Sequence, residues 1–234
     1  AYLRDCVFED NQNFAARNAG GGAVLDSRSA LVEGCTFLRN ETSSYGGPAR
    51  GGALAIGSGS VSRCMFAGNA ATGLFLGEAQ GGAVHAFGSI TISDCVFLGN
   101  VAARANPEGP GFGGAVYAAG APTVTRCTLL ASSGGAPGGV AGFQLLRGGA
   151  IESVILAYST AGANCSGSPT WTCSNSFGNR EGNRLCGVDG GGNFSADPLF
   201  CAVDPAGSHN VLLRSNSPCA PGNHPAGLPC GLVG

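Results

Sequence analysis

Residues 81–100 read Gly-Gly-Ala-Val-His-Ala-Phe-Gly-Ser-Ile-Thr-Ile-Ser-Asp-Cys-Val-Phe-Leu-Gly-Asn. Cys95 and Phe97 share one period-2 face, whereas Ile90 and Ile92 have the opposite parity. The chain must therefore turn near Ser93-Asp94, between two short strands. A third strand follows the glycine pair, with Val84 facing the same interior. Working outward, Gly-Gly-Ala-apolar recurs at Gly21, Gly51, Gly81 and Gly113. Interlocked with it, Cys-x-Phe-x-x-Asn recurs at Cys6/Phe8/Asn11, Cys35/Phe37/Asn40, Cys64/Phe66/Asn69 and Cys95/Phe97/Asn100. Looser copies follow at Cys127/Leu129/Ser132 and Ser153/Ile155/Tyr158.

A repeat of roughly 30 residues holding three short strands joined by bends is one coil of a parallel β-solenoid. Stacked coils place equivalent side chains roughly 4.8 Å apart. The expected interior ladders are Leu3-Val32-Val61-Ile92-Val124, Cys6-Cys35-Cys64-Cys95-Cys127 and Phe8-Phe37-Phe66-Phe97-Leu129. Asn11, Asn40, Asn69 and Asn100 are expected to form an amide ladder at a corner. No stretch carries a sustained helical apolar stripe, so the fold class is all-β. Residues 1–160 read as regular coils. Residues 161–234 read as irregular final coils and a Cys-rich C-terminal cap of the same solenoid, with about seven to nine coils in all.

The cysteines divide accordingly. Parallel Cβ vectors on stacked rungs leave neighbouring thiols too far apart for the ~3.8 Å Cβ separation of a disulfide. Cys6, Cys35, Cys64, Cys95 and Cys127 are thus expected as buried thiols packing like small apolar groups. The six tail cysteines are expected to pair locally as Cys165–Cys173, Cys186–Cys201 and Cys219–Cys230. Disulfides place the chain in an oxidising compartment.

Composition narrows the chemistry. All 12 basic residues are arginine, which removes Schiff-base chemistry and a lysine-bearing phosphate loop. A net charge of −2 supplies no basic stripe for nucleic acid, and Gly, Ser and Pro interrupt every stretch long enough to insert in a membrane. The 14 acidic residues are scattered. Aligned on the cysteines, they fall beside arginines of neighbouring coils: Arg4 with Glu33, Asp10 with Arg39, and Arg63, Asp94 and Arg126 in one outward row. These read as cross-strand pairs. His85 is expected to face solvent beside Tyr117, at most a weak ligand site, and His209 and His224 lie in the tail without a paired acid. Asp189-Gly190-Gly191-Gly192-Asn193 reads as a glycine turn rather than a Ca²⁺ loop, so no cofactor is expected. Asn40, Asn164 and Asn193 open glycosylation sequons, but Asn40 is already committed to the ladder. Segments 12–20, 41–50, 70–80 and 101–112 read as loops leaving the asparagine corner. They carry Phe14, Tyr45, Leu74, Phe75, Leu76 and Phe112, candidates for partner contact.

The Gly-Gly-Ala-apolar and Phe-x-x-Asn pair resembles the repeats of polymorphic outer-membrane protein passengers, which are surface adhesins. The tail from Asn193-Phe194-Ser195-Ala196-Asp197-Pro198-Leu199-Phe200 through Cys219 to Gly234 resembles the closing segment of bacterial right-handed parallel β-helix repeat proteins. The resemblance implies a right-handed β-helix of the pectin-lyase-like superfold on an extracellular protein. Polygalacturonase-type paired aspartates and Gly-His-Gly are absent from the sequence, so an enzyme is not expected. The reading is a non-catalytic extracellular structural protein, a surface-layer or filament subunit associating end to end or stacking on upstream coils. Its alternative is an adhesin-like module for glycan or protein, and a polysaccharide lyase or hydrolase ranks last.

Overall fold

The computed structural model describes residues 1–75, 77–105, 110–135, 139–202 and 210–234. Left-handed backbone at three corners sets the cross-section of each coil. One corner is the residue before the cysteine position: Asp5, Gly34, Arg63, Asp94 and Arg126 have φ between 49° and 63°. A second is Asp10, Arg39, Gly68 and Gly99, and the third is the first glycine of each pair, Gly21, Gly51, Gly81 and Gly113. The second glycine of the pair serves a different purpose. A Cβ on Gly22, Gly52 or Gly82 would run into the carbonyl oxygen of the matching glycine one coil on, so close stacking requires its absence.

Between corners the chain forms parallel sheets. A 12-stranded sheet includes Val24–Glu33, Leu54–Ser62, Val84–Ala86 and Val116–Ala118, and a seven-stranded sheet runs from Val7–Glu9 to Asn175–Phe177. The segments expected as loops are instead largely strands. Gln12–Ala15, Glu41–Ser44, Ala70–Gly73 and Val101–Arg104 form a third sheet, and Ala19–Gly20, Ala49–Arg50, Ala79–Gln80 and Gly111–Phe112 a fourth. Their inward residues are small: Ala49, Ala71, Ala79 and Ala102 form their own fully buried cluster. Among the described residues there is no helix.

The register realises the ladders. Leu3 pairs with Val32, Val32 with Val61, Val61 with Ile92 and Ile92 with Val124. The rings of Phe8, Phe37, Phe66 and Phe97 stack 4.8–4.9 Å apart and nearly parallel. Asn11, Asn40 and Asn69 each donate Nδ2–H to the Oδ1 of the next asparagine at 2.8, 2.9 and 3.0 Å. Beyond Cys127 the register differs from expectation by one residue. Leu129 pairs with Leu156, so the next copy is Val154/Leu156/Ser159, not Ser153/Ile155/Tyr158. Ser153 is instead the left-handed corner residue, at φ 55°. The asparagine position then resumes at Asn179, whose Nδ2 donates to the Leu156 carbonyl oxygen just as Asn100 donates to that of Phe66.

The solenoid has about five full turns, fewer than seven to nine, because the final rungs shorten and the tail leaves the stack. The tail does not lie across the end. Its hairpin Phe200–Ala202/Asn210–Leu213 and the segment after it pack against the outer side of the seven-stranded sheet. There Phe200, Cys219, Cys230 and Val233 cover Leu98, Leu130, Ile155 and Ala157. That sideways course changes the disulfides. The bonds are Cys165–Cys186, which joins successive rungs, and Cys173–Cys230, which pins the tail to the side of the coil. None of the three local pairings expected from sequence forms. Cys201 is an exposed thiol and Cys219 a buried one.

Candidate functional site

The outward row of the 12-stranded sheet runs through Leu25, Ala55, His85, Tyr117 and Gln144. Its phase is as expected, yet His85 is not solvent-facing: it is 2% exposed. Tyr117, one coil along, stacks on the imidazole at 4.9 Å and 9°. Phe87, the residue after the strand of His85 ends at Ala86, meets it edge-on at 4.5 Å, and the Arg50 guanidinium lies 5.5 Å over the Phe87 ring. Burial, then the charge of Arg50, pushes the His85 pKa down to about 3, so the imidazole is neutral at physiological pH. Its Nδ1 is buried without a partner, and among the described residues no acid holds the ring as it would hold a general base. Burial and the nearby Glu78 raise the Tyr117 phenol, and Gln80 Nε2 donates to Glu78 Oε2 at 3.0 Å. The cluster is a fixed aromatic surface with one cation and one anion at its margin.

A second aromatic group stands where partner contacts were expected. Tyr45 and Phe75 stack at 5.5 Å and 9° while remaining 53% and 64% exposed, and Phe14 on the same edge is 67% exposed. Leu74 and Phe112 are half-buried, and Leu76 lies outside the described residues, as does His209.

Several other groups that the sequence singled out are engaged internally. Arg126 donates through Nε and Nη2 to Asp94, and Arg39 does the same to Asp10. Arg63 pairs with Glu33, so Arg4 turns to Asp5 despite its register with Glu33. Each ladder thiol donates to the carbonyl oxygen two residues before it, at 3.1–3.3 Å. The neighbouring thiol and burial raise the Cys64 pKa far above the thiol range. His224 donates through Nε2 to the Gly192 carbonyl oxygen and accepts at Nδ1 from Ala226 N–H, in the tautomer this geometry requires. Asp189 Oδ1 accepts from Gly191 N–H and Asn193 Nδ2. The sequon amides are occupied as well: Asn40 and Asn164 are buried and bonded, and Asn193 Nδ2 donates to the Trp171 carbonyl oxygen. Among the described residues no three His, Cys, Asp or Glu side chains gather as a metal-ligand set.

Arg50, Glu78 and Phe87 escaped the sequence reading. Their only signal is position: Arg50 precedes a Gly-Gly corner, and Phe87 follows His85 by two residues.

A family model described as the right handed beta helix region matches residues 1–135. No curated protein sequence matches the chain, and no solved structure does.

Proposed function

The chain belongs to the right-handed β-helix family, and we propose that it is a non-catalytic extracellular scaffold that binds a glycan or a surface protein as an adhesin-like module. The observation that carries this reading is the exposed Tyr45–Phe75 stack with Phe14 beside it. Large rings held rigid at the surface cost little entropy on binding and offer faces to sugar C–H groups or apolar side chains. Asp10, Glu33 and Asp94 are paired with cross-coil arginines, and among the described residues His85 has no acid partner, which speaks against acid–base catalysis. Two disulfides favour an oxidising compartment.

Filament assembly by end-to-end stacking is disfavoured where the solenoid ends. There Asp189 pairs with Trp171 and so continues the inward row with a charge. An inward charge on a last rung opposes edge-to-edge addition.

Titration of the intact chain with extracellular polysaccharides tests the reading, with product analysis alongside. Saturable binding without cleavage is expected, weakened at least tenfold by Tyr45→Ser/Phe75→Ser at unchanged thermal stability. Release of unsaturated or reducing-end products, or binding indifferent to both rings, would overturn it.

A further inference from the structure

Where the tail lies along the seven-stranded sheet it leaves a crevice of about 470 Å³. Its floor is the outward row Val96, Thr128 and Ile155, in register across three coils. Two separate tail segments form the walls, one presenting Leu213 and the other Leu232. Each wall has its own anchors, and Val233 N–H donates to the Cys219 carbonyl oxygen to tie the two segments together. On one side, Arg214 N–H donates to the Leu199 carbonyl oxygen and Ser217 Oγ to that of Pro198. On the other, Gly234 N–H donates to the Ser153 carbonyl oxygen, and the Cys173–Cys230 disulfide anchors the preceding residues. These bonds define the spacing of the walls, and the volume falls in the range of small-molecule sites, roughly 300–1,000 Å³. Arg126 and Arg214, both exposed, line the crevice together with Asp94. Asp94 engages only Nε and Nη2 of Arg126, leaving Nη1 outside that pair.

We propose that this crevice binds a small amphipathic carboxylate, its hydrocarbon body on Val96, Ile155, Leu213 and Leu232 and its anionic end at Arg214 and Arg126 Nη1. The apolar lining accepts methylenes, and a guanidinium accepts a carboxylate with paired N–H donors. The site is distant in the fold from the exposed aromatic edge and does not depend on that edge binding a partner.

Calorimetric titration of the intact chain with monomeric dodecanoate tests it. One saturable site is expected. Val96→Trp, which fills the floor, and Leu232→Asp, which charges a wall that is 46% exposed, should each weaken binding at least tenfold. Dodecanol, lacking the carboxylate, should also bind at least tenfold more weakly. Melting curves establish that each variant is folded, and because one fills and the other charges, either suffices if its counterpart fails to fold. Absence of a saturable site, affinity unchanged in the folded variants, equal binding of dodecanol, or equal weakening by the distant Phe14→Asp would each overturn the proposal.

Discussion

The regular coils and the tail solve the same problem by opposite means. In the coils each side chain is satisfied by its own counterpart one rung away, so Phe66 is held by Phe37 and Phe97, and Asn69 by Asn40 and Asn100. Stability there is a sum of nearest-neighbour contacts, and any rung resembles the next. The tail has no counterpart to copy. It is held by single contacts: Tyr158 O–H to Asp197, Ser217 Oγ to the Pro198 carbonyl oxygen, His224 to Gly192, and one disulfide. Repetition spreads the load over the coils, whereas the tail depends on one apolar contact with the outer sheet face and on individual bonds that have no copy.

Cutting one rung should therefore have the largest effect, because two interfaces fail together. Phe66→Ala leaves a cavity between two stacked rings and is expected to cost about 3–5 kcal/mol in denaturant unfolding. A loss below about 1 kcal/mol would mean that the neighbouring rings close over the gap and that the coils are less tightly coupled than their register implies.

Removing a staple comes next. Cys230→Ser opens the disulfide spanning a sequence separation of 57 residues, expected to cost about 2–4 kcal/mol. The loss should stay local. Amides of the final 25 residues gain hydrogen exchange while those of the phenylalanine ladder remain protected. Uniform loss of protection would show that the tail holds the coils together, erasing the distinction.

Between these lies His85, which belongs to the coils but behaves as a one-off contact. Its folded pKa near 3 lies below the ordinary histidine value of 6.5. The unfolded chain takes up a proton that the folded chain refuses. The contribution is present above pH 6.5 and lost as pH falls from there toward 3. At pH 5 this amounts to about 2 kcal/mol, from the conversion of ~1.4 kcal/mol per pH unit. His85→Phe keeps a ring between Tyr117 and Phe87 and should flatten the stability–pH curve over that interval. Parallel curves for the two proteins would mean that the imidazole is protonated in the folded state.

What was legible in the sequence follows the same division. The phenylalanine, cysteine and asparagine ladders were readable because two motifs keep register over four copies. The third and fourth sheets were not. Their inward residues, Thr42, Ala49, Ala71, Ala79 and Ala102, are small, and their strand neighbours range from Arg50, Glu78 and Gln80 to Val101 and Ala103, so no period-2 contrast in hydropathy marks the inward row. Burial of His85 was hidden because its cover comes from Tyr117 of one neighbouring coil and a Phe87–Arg50 pair that reaches the other. The disulfides were misread because local spacing presumes a tail folded on itself, whereas Cys230 reaches back along the solenoid to Cys173. Of the candidate contacts, the exposed Phe14, Tyr45 and Phe75 were readable as apolar residues without a ladder partner.

The smallest effect should come from the outward charges. Arg126 holds the Asp94 carboxyl below its usual range through two hydrogen bonds. A depressed carboxylate contributes stability above pH ~4, and the contribution is lost as pH falls through the folded pKa. Both side chains are more than a third exposed, so solvent screens the pair, and Asp94→Asn should change stability at pH 7 by well under about 1 kcal/mol. The sharper readout is salt. Whatever difference separates wild type from Asp94→Asn should shrink between low ionic strength and 1 M salt, where the screening length falls to about 3 Å. The Phe66→Ala difference should be insensitive to the same change. If Asp94→Asn instead rivalled Phe66→Ala and ignored salt, the outward pairs would be structural supports like the ladders. On the present geometry they discourage wrong registers between coils: shifting the coil that carries Glu33 and Arg39 by a residue would separate Arg63 from Glu33 and Arg39 from Asp10 together, and shifting the coil that carries Asp94 would separate it from Arg126. That is a gain in specificity obtained at almost no gain in stability.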